Sequence, residues 1–159
     1  RIALAATGRP VTDSTIRQYQ LTELAAPDGD TCMLELLPLP SPTMSPRIYA
    51  DHSRLSWLAD RRRYTERMMP PPGIAALRDL IAAHQPDWMV FIGLSYTDQW
   101  NEVMGASVPR WPDPPRTINA TATLVMPHPA AHGTTNDVYD AAGRALGTVA
   151  AARPPASSS

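Results

Sequence analysis

Eighteen of the 159 residues are proline, and most of them fall in three clusters, at 38–46, 70–72 and 109–115. Proline fixes φ and has no backbone N–H, so it is excluded from helix interiors and from central strands. The clusters therefore read as loops between elements rather than as a low-complexity domain. They divide the chain into short segments that must carry its regular structure.

Those segments alternate in period. Asp13 or Ser14 can cap a helix running to about Ala26, with Ile16, Tyr19 and Leu24 on its apolar face. Thr31–Leu37 is a continuous run whose length and flanks favour a buried strand, interrupted by Glu35. A buried carboxylate is costly unless paired or solvated, so Glu35 is either an ion-pair partner for an arginine or a ligand-facing group at a strand end. Ala59–Met69 looks helical and carries Arg61, Arg62, Arg63 and Arg67, with Tyr64 among them. Such a run is either a solvated face or a phosphate-contacting patch with an aromatic interleaved for stacking. Pro70–Gly73 ends that segment, and Ile74, Leu77, Leu80 and Ile81 share a helical face up to His84.

The clearest strand lies within Asp87–Leu94, followed by Gly93 and a helix that opens near Ser95 and ends near Gly105. Residues 106–117 read as a proline-rich loop with Arg110, Trp111 and Arg116. Ala122–Met126 reads as a strand stopped by Pro127, and a last helix runs from Thr135 to about Ala152, packing Val138, Ala142, Ala145 and Val149. The first twelve residues read as loop after a short apolar start, with Gly8 and Pro10 as breakers.

The order α, β, α, α, β, α, β, α implies an α/β fold. The expected form is a three-layer α/β/α sandwich with a mostly parallel central sheet. Three strands are few for such a sandwich, and the chain opens at Arg1 without a methionine. The expectation is therefore that an N-terminal strand is missing. One domain is expected over residues 1–152, with a disordered tail at 153–159.

Composition narrows the function classes. A formal net charge of −1 argues against a chain that coats nucleic acid or membrane, though not against a local basic groove. One cysteine, Cys32, excludes an internal disulfide and any multi-cysteine zinc or iron–sulfur site. A reducing, cytoplasmic setting is expected. No apolar run approaches the ~18–20 residues that span a bilayer.

His128 is the leading candidate for chemistry. It lies just past a strand end, between Pro127 and Pro129, and ligands of open α/β sheets bind outside the carboxyl ends of strands. The alternative is a histidine that only hydrogen-bonds its loop. Other chemistries fit less well. Gly93-Leu-Ser95 has the first half of a nucleophile elbow but lacks its closing glycine. His128 and His132 have i,i+4 spacing, but Pro129 spoils a helical metal pair. No dinucleotide or phosphate-loop fingerprint is present. No metal or cofactor is expected.

Three pieces in order carry a resemblance. They are Thr31-Cys-x-x-Glu35-Leu-Leu-Pro38-Leu-Pro-Ser41-Pro42, then Gly93-Leu-Ser95-Tyr96, then His128-Pro129 with Gly133, Thr135 and Asn136. The set resembles the uracil-DNA glycosylase superfamily, and more closely an uncharacterised bacterial branch of it, over about residues 10–150. Two features depart from the family. Its first motif, a loop whose acid or amide handles the hydrolytic water, has no match here. Its uracil-reading amide is replaced by Glu35.

The resemblance implies a DNA glycosylase-like protein that hydrolyses the N-glycosidic bond of a damaged or modified base in DNA repair. His128 would hydrogen-bond the base carbonyl and stabilise the leaving anion. Glu35, Leu37 and Pro38 would line the base. Ser41, Arg61, Arg62, Arg63 and Ser95 would contact the DNA backbone. The implied partner is single- or double-stranded DNA with a flipped-out base, bound by a monomer. Alternatives are a non-catalytic nucleic-acid or nucleobase-binding module of the same fold, and a small esterase-like hydrolase using Ser95 and His128. An ionised Glu35 offers only acceptors, so it suits a base edge that presents donors better than it suits uracil.

Overall fold

The computed structural model describes residues 1–37, 53–69 and 71–152. Pro38, Ser41 and the tail at 153–159 lie outside the described residues. The elements are α1 (Ile2–Ala6), α2 (Asp13–Thr22), α3 (Arg61–Met68), α4 (Pro71–His84), β1 (Trp88–Ile92), α5 (Thr97–Met104), β2 (Arg116–Ile118), β3 (Thr121–Met126) and α6 (Asn136–Ala151). The fold is mixed α/β, and no helix among the described residues is long and apolar enough to cross a membrane.

β3 is the centre of a three-stranded open sheet with order β1-β3-β2. All six of its residues are buried, the signature of a strand covered on both faces. β1 pairs with it in parallel, from Trp88 opposite Ala122 to Ile92 opposite Met126. β2 pairs antiparallel on the other edge. Beyond β2 the chain touches the same edge again, where Arg110 forms a parallel bridge to Val125. The two buried threonines of β3 are satisfied: the Thr121 hydroxyl donates to Pro86 O at 2.9 Å and that of Thr123 to Arg116 O at 3.0 Å.

Alternation along β1 and β3 divides the core. Phe91 and Val125 face Ile74 of α4 and Trp100, Val103 and Met104 of α5. Ala122, Leu124 and Met126 face Tyr139, Ala142 and Leu146 of α6, with Ile2 of α1 at the margin. Phe91 stacks on Trp100 at 4.9 Å between ring centroids.

Several expectations need correction. The sheet holds one parallel and one antiparallel pair, not a mostly parallel set. Thr31–Leu37 is not a strand; its backbone is irregular and Cys32–Glu35 are exposed. The Thr31 hydroxyl ties the segment to the end of α2 instead, accepting from Ala25 N at 3.2 Å and from the Tyr19 hydroxyl at 3.1 Å. An apolar run becomes a strand only with a ladder partner, and Thr31–Leu37 pairs with none of the three described strands.

The third strand is β2, which starts at the end of the stretch read as loop and runs one residue past it. It joins β3 through a two-residue turn in which both Asn119 (φ 49°) and Ala120 (φ 65°) adopt positive φ. Asn-Gly is the usual signal for such a turn, and alanine in the second position hides it. Asn119 Nδ2 also donates to Met104 O at 3.0 Å, fastening the turn to the end of α5.

The first residues form a helix, not a loop. α1 lies against α6 with Leu4 fully buried. Glycines at i and i+4 of α6 allow the approach: a Cβ on Gly143 would lie 2.5 Å from Ile2 O, and one on Gly147 would lie 2.1 Å from Ala6 O. Other differences concern helix ends. Thr12, not Asp13 or Ser14, caps α2 by accepting from Thr15 N, and α2 stops at Thr22 rather than Ala26. Proline is tolerated in a first helical turn, so α4 begins at Pro71 within the cluster read as a break.

Candidate functional site at the strand ends

β1 and β3 are parallel neighbours, so their carboxyl ends open at one end of the sheet. Gly93 N donates to Met126 O at 2.9 Å and carries the ladder one residue past β1. There the chain turns sharply. Gly93 has φ 104°, a conformation that L side chains rarely adopt, and a 3-10 turn over Leu94–Tyr96 presents Ser95 to solvent. On the adjacent strand, β3 stops at Met126 and the ring of His128 emerges two residues later, exposed.

The loop that carries His128 is held from both sides. Ala131 N donates to His128 O at 2.7 Å, closing a tight turn. The Tyr139 hydroxyl, from the first turns of α6, donates to Pro127 O at 3.1 Å. Burial raises the Tyr139 phenol above its usual range, partly offset by a hydrogen bond with Thr134, so the proton that makes this contact is retained. Gly133 (φ 80°) then leads into the cap of α6 at Thr135.

One contact decides the chemistry open to the imidazole. Ala130 N donates to His128 Nδ1 at 3.1 Å. A nitrogen that accepts a hydrogen bond carries no proton, so the neutral ring is the Nε2–H tautomer. His128 therefore presents a donor to solvent. A serine-activating histidine needs the opposite arrangement, with Nδ1–H donating to an orienting acid and Nε2 free to take the hydroxyl proton.

The remaining sequence candidates lie on other segments. Glu35 is exposed on irregular backbone rather than at a strand end, and Leu37 is half-buried at a bend. On α3, Arg62 pairs with Glu66 at 3.2 Å and Arg63 with Asp60 at 3.5 Å, while Arg61 is half-buried. Tyr64 is 1% exposed and stacked with Trp57, so it cannot serve as a platform for a base. Among the described residues no His/Cys/Asp/Glu group is arranged to hold a metal ion.

Sequence reasoning missed Tyr139, which anchors the His128 loop. The buried stripe of α6 is Tyr139, Ala142, Gly143 and Leu146; of the expected face Ala142 lies in it, and Val138 and Val149, partly buried, pack against the same core. A helix wheel centred on the two largest apolar residues, Tyr139 and Leu146, would have found it.

Compared with family models, with curated proteins and with solved structures, the chain matches none.

Proposed function

We propose that this chain is a uracil-DNA glycosylase-like protein, with His128 as a neutral hydrogen-bond donor to the base that leaves. The observation that carries the reading is the Ala130 N–H donated to His128 Nδ1. Breaking an N-glycosidic bond leaves the electron pair on the base and positive charge on the sugar, which water then quenches at C1′ with loss of a proton. An Nε2–H aimed at the base oxygen stabilises the developing anion without giving up its own proton. The same contact disfavours the Ser95–His128 hydrolase, in which Nδ1 must donate.

The proposal carries the finer architecture with it, a three-layer α/β/α sandwich working on DNA in the cytoplasm. The helices α4 and α5 on one side of β1 and β3, and α6 on the other, are in keeping with it. Glu35, Leu37 and Pro38 remain its base-lining residues, and Ser41, Arg61, Arg62, Arg63 and Ser95 its backbone contacts. The local pairs of Arg62 with Glu66 and of Arg63 with the capping Asp60 weigh toward a solvated face for the arginine run.

The test is base release from single-stranded and duplex oligonucleotides, each with one modified base, read as strand scission at the abasic site. A base with an exocyclic amine is expected to be released in preference to uracil, and Glu35→Asn to reverse that preference. His128→Ala is expected to slow release by about 10²–10³-fold. Release at an unchanged rate by His128→Ala, or no release from any oligonucleotide, would sink the reading.

A further inference from the structure

We propose that a cleft on the outer edge of the sheet is a phosphate-binding site built on Arg110 and Arg116. The chain leaves β3's edge at Arg110, opposite Val125, and returns to it at Arg116, opposite Thr123. Residues opposite each other on a ladder project to the same face. Val125 belongs to the α4–α5 side of the core, as does Ile118, two residues after Arg116. Trp111, one residue after Arg110, packs on the α6 side, as alternation requires. Both guanidinium stems therefore rise from one edge on one face, two strand residues or ~7 Å apart.

Between them and the start of α5 lies a cleft of about 310 Å³, bordered by Thr97, Ser107, Arg110, Asp113 and Arg116. Val108, Pro109 and Pro114 supply an apolar wall. Arg116 Nη2 donates to Ser107 O at 3.0 Å, which orients that side chain and leaves its other N–H groups without a partner among the described residues. Arg110 is exposed, and its guanidinium has no hydrogen-bond or ion-pair partner among the described residues. The Thr97 hydroxyl donates to Leu94 O, so it is not a donor to a ligand.

Two guanidinium groups face one carboxylate, Asp113, and the cleft keeps an excess positive charge. Planar forks match the oxygens of phosphate bidentately, and two forks on one face can grip several of those oxygens together, which a carboxylate does not offer. The volume is at the small end for ligand sites and suits a phosphate with a sugar-sized body against the prolines. The group can come from a free phosphorylated small molecule or from a nucleic-acid backbone. This site does not depend on His128.

Titrations of the full chain with inorganic phosphate, a nucleoside monophosphate and a short single-stranded oligonucleotide, read by calorimetry and phosphorus NMR, test the proposal. Arg110→Ala is expected to weaken binding about tenfold, and Asp113→Asn to tighten it about two- to fivefold, with thermal melting unchanged. Binding of the two small ligands identifies a free phosphate compound. Binding of the oligonucleotide alone, with a salt slope lowered by about one in Arg110→Ala, identifies a backbone phosphate. Either result supports the site. Acetate competing as well as phosphate at equal ionic strength, an affinity indifferent to Arg110→Ala, or no binding of any of the three would overturn it. His128→Ala should leave the phosphate affinity as it is, so failure here and failure of the glycosylase reading are separable.

Discussion

Replacing Gly147 by alanine should loosen α1 from α6, and the structure sets the size of the effect. A Cβ at this position would stand 2.1 Å from Ala6 O, where ordinary contact begins near 3.4 Å, so α1 must withdraw by about 1.3 Å. The obstacle is backbone, which cannot rotate away. Two terms oppose each other. Alanine is a better helix former than glycine by about 1 kcal/mol in a helix interior. Overpacking costs about 1–3 kcal/mol, and a radial gap of even 0.5–1 Å forfeits a quarter to a half of the contact energy it opens. Complete detachment would expose Leu4, now fully buried, at about 1.5–3 kcal/mol. The expected net loss is about 1–2 kcal/mol, or a fall in Tm of about 2–8 °C for a chain of this length. Urea and thermal unfolding measure it, with Arg144→Ala on the exposed side of α6 as control. Hydrogen exchange at residues 5–7, whose amides close the turns of α1, should accelerate in Gly147→Ala alone. Stability equal to or above that of the parent chain, with those amides still protected, would refute the close-packing argument.

Three further substitutions test the frame around the site. Ala120→Gly should stabilise by about 0.5–1 kcal/mol in a thermal melt, because relief of a left-handed alanine exceeds the added entropy of the unfolded chain. Tyr139→Phe removes the donor to Pro127 O and should lower the unfolding free energy by about 0.5–1.5 kcal/mol in urea, with the His128 ring signals broadened in NMR. Arg9 makes a two-pronged pair with Glu23, at 2.5 and 2.8 Å, which holds the Glu23 carboxyl below its ordinary value of 4.5. A depressed carboxyl contributes stability above the unfolded pKa and loses it as pH falls through the folded one. The stability of the parent chain should therefore drop on acidification below about pH 4.5 more than that of Arg9→Ala, and in that variant the Glu23 titration by NMR should return toward 4.5.

What could be read from the sequence was whatever local chemistry decides. Pro86 and Pro127 bracket the apolar runs of β1 and β3, and those strands stand within a residue or two of where the runs placed them. Gly105 ends α5 in the left-handed conformation, and His128 follows a strand end as expected. The errors lie where a partner elsewhere in the chain decides. Thr31–Leu37 has the composition of a strand, but its threonine hydroxyl is drawn to the end of α2 and the segment joins none of the described strands. β2 is short and exposed, with no apolar run, and exists because β3 offers it an edge. The pairing of Arg110 and Arg116 across one cleft depends on where the chain rejoins that edge. No property of the intervening prolines announces it.

The claim that His128 works as a neutral donor is tested most directly by nitrogen-15 NMR of its imidazole at a pH where the ring is uncharged. The Ala130 contact requires a bare Nδ1 and a proton on Nε2, retained when abasic DNA is added and lost as a distinct tautomer when Pro129 and Ala130 can no longer hold the loop. A spectrum with the proton on Nδ1 and a bare Nε2 would contradict the account, since that ring could act as a base but could not donate to a leaving nucleobase.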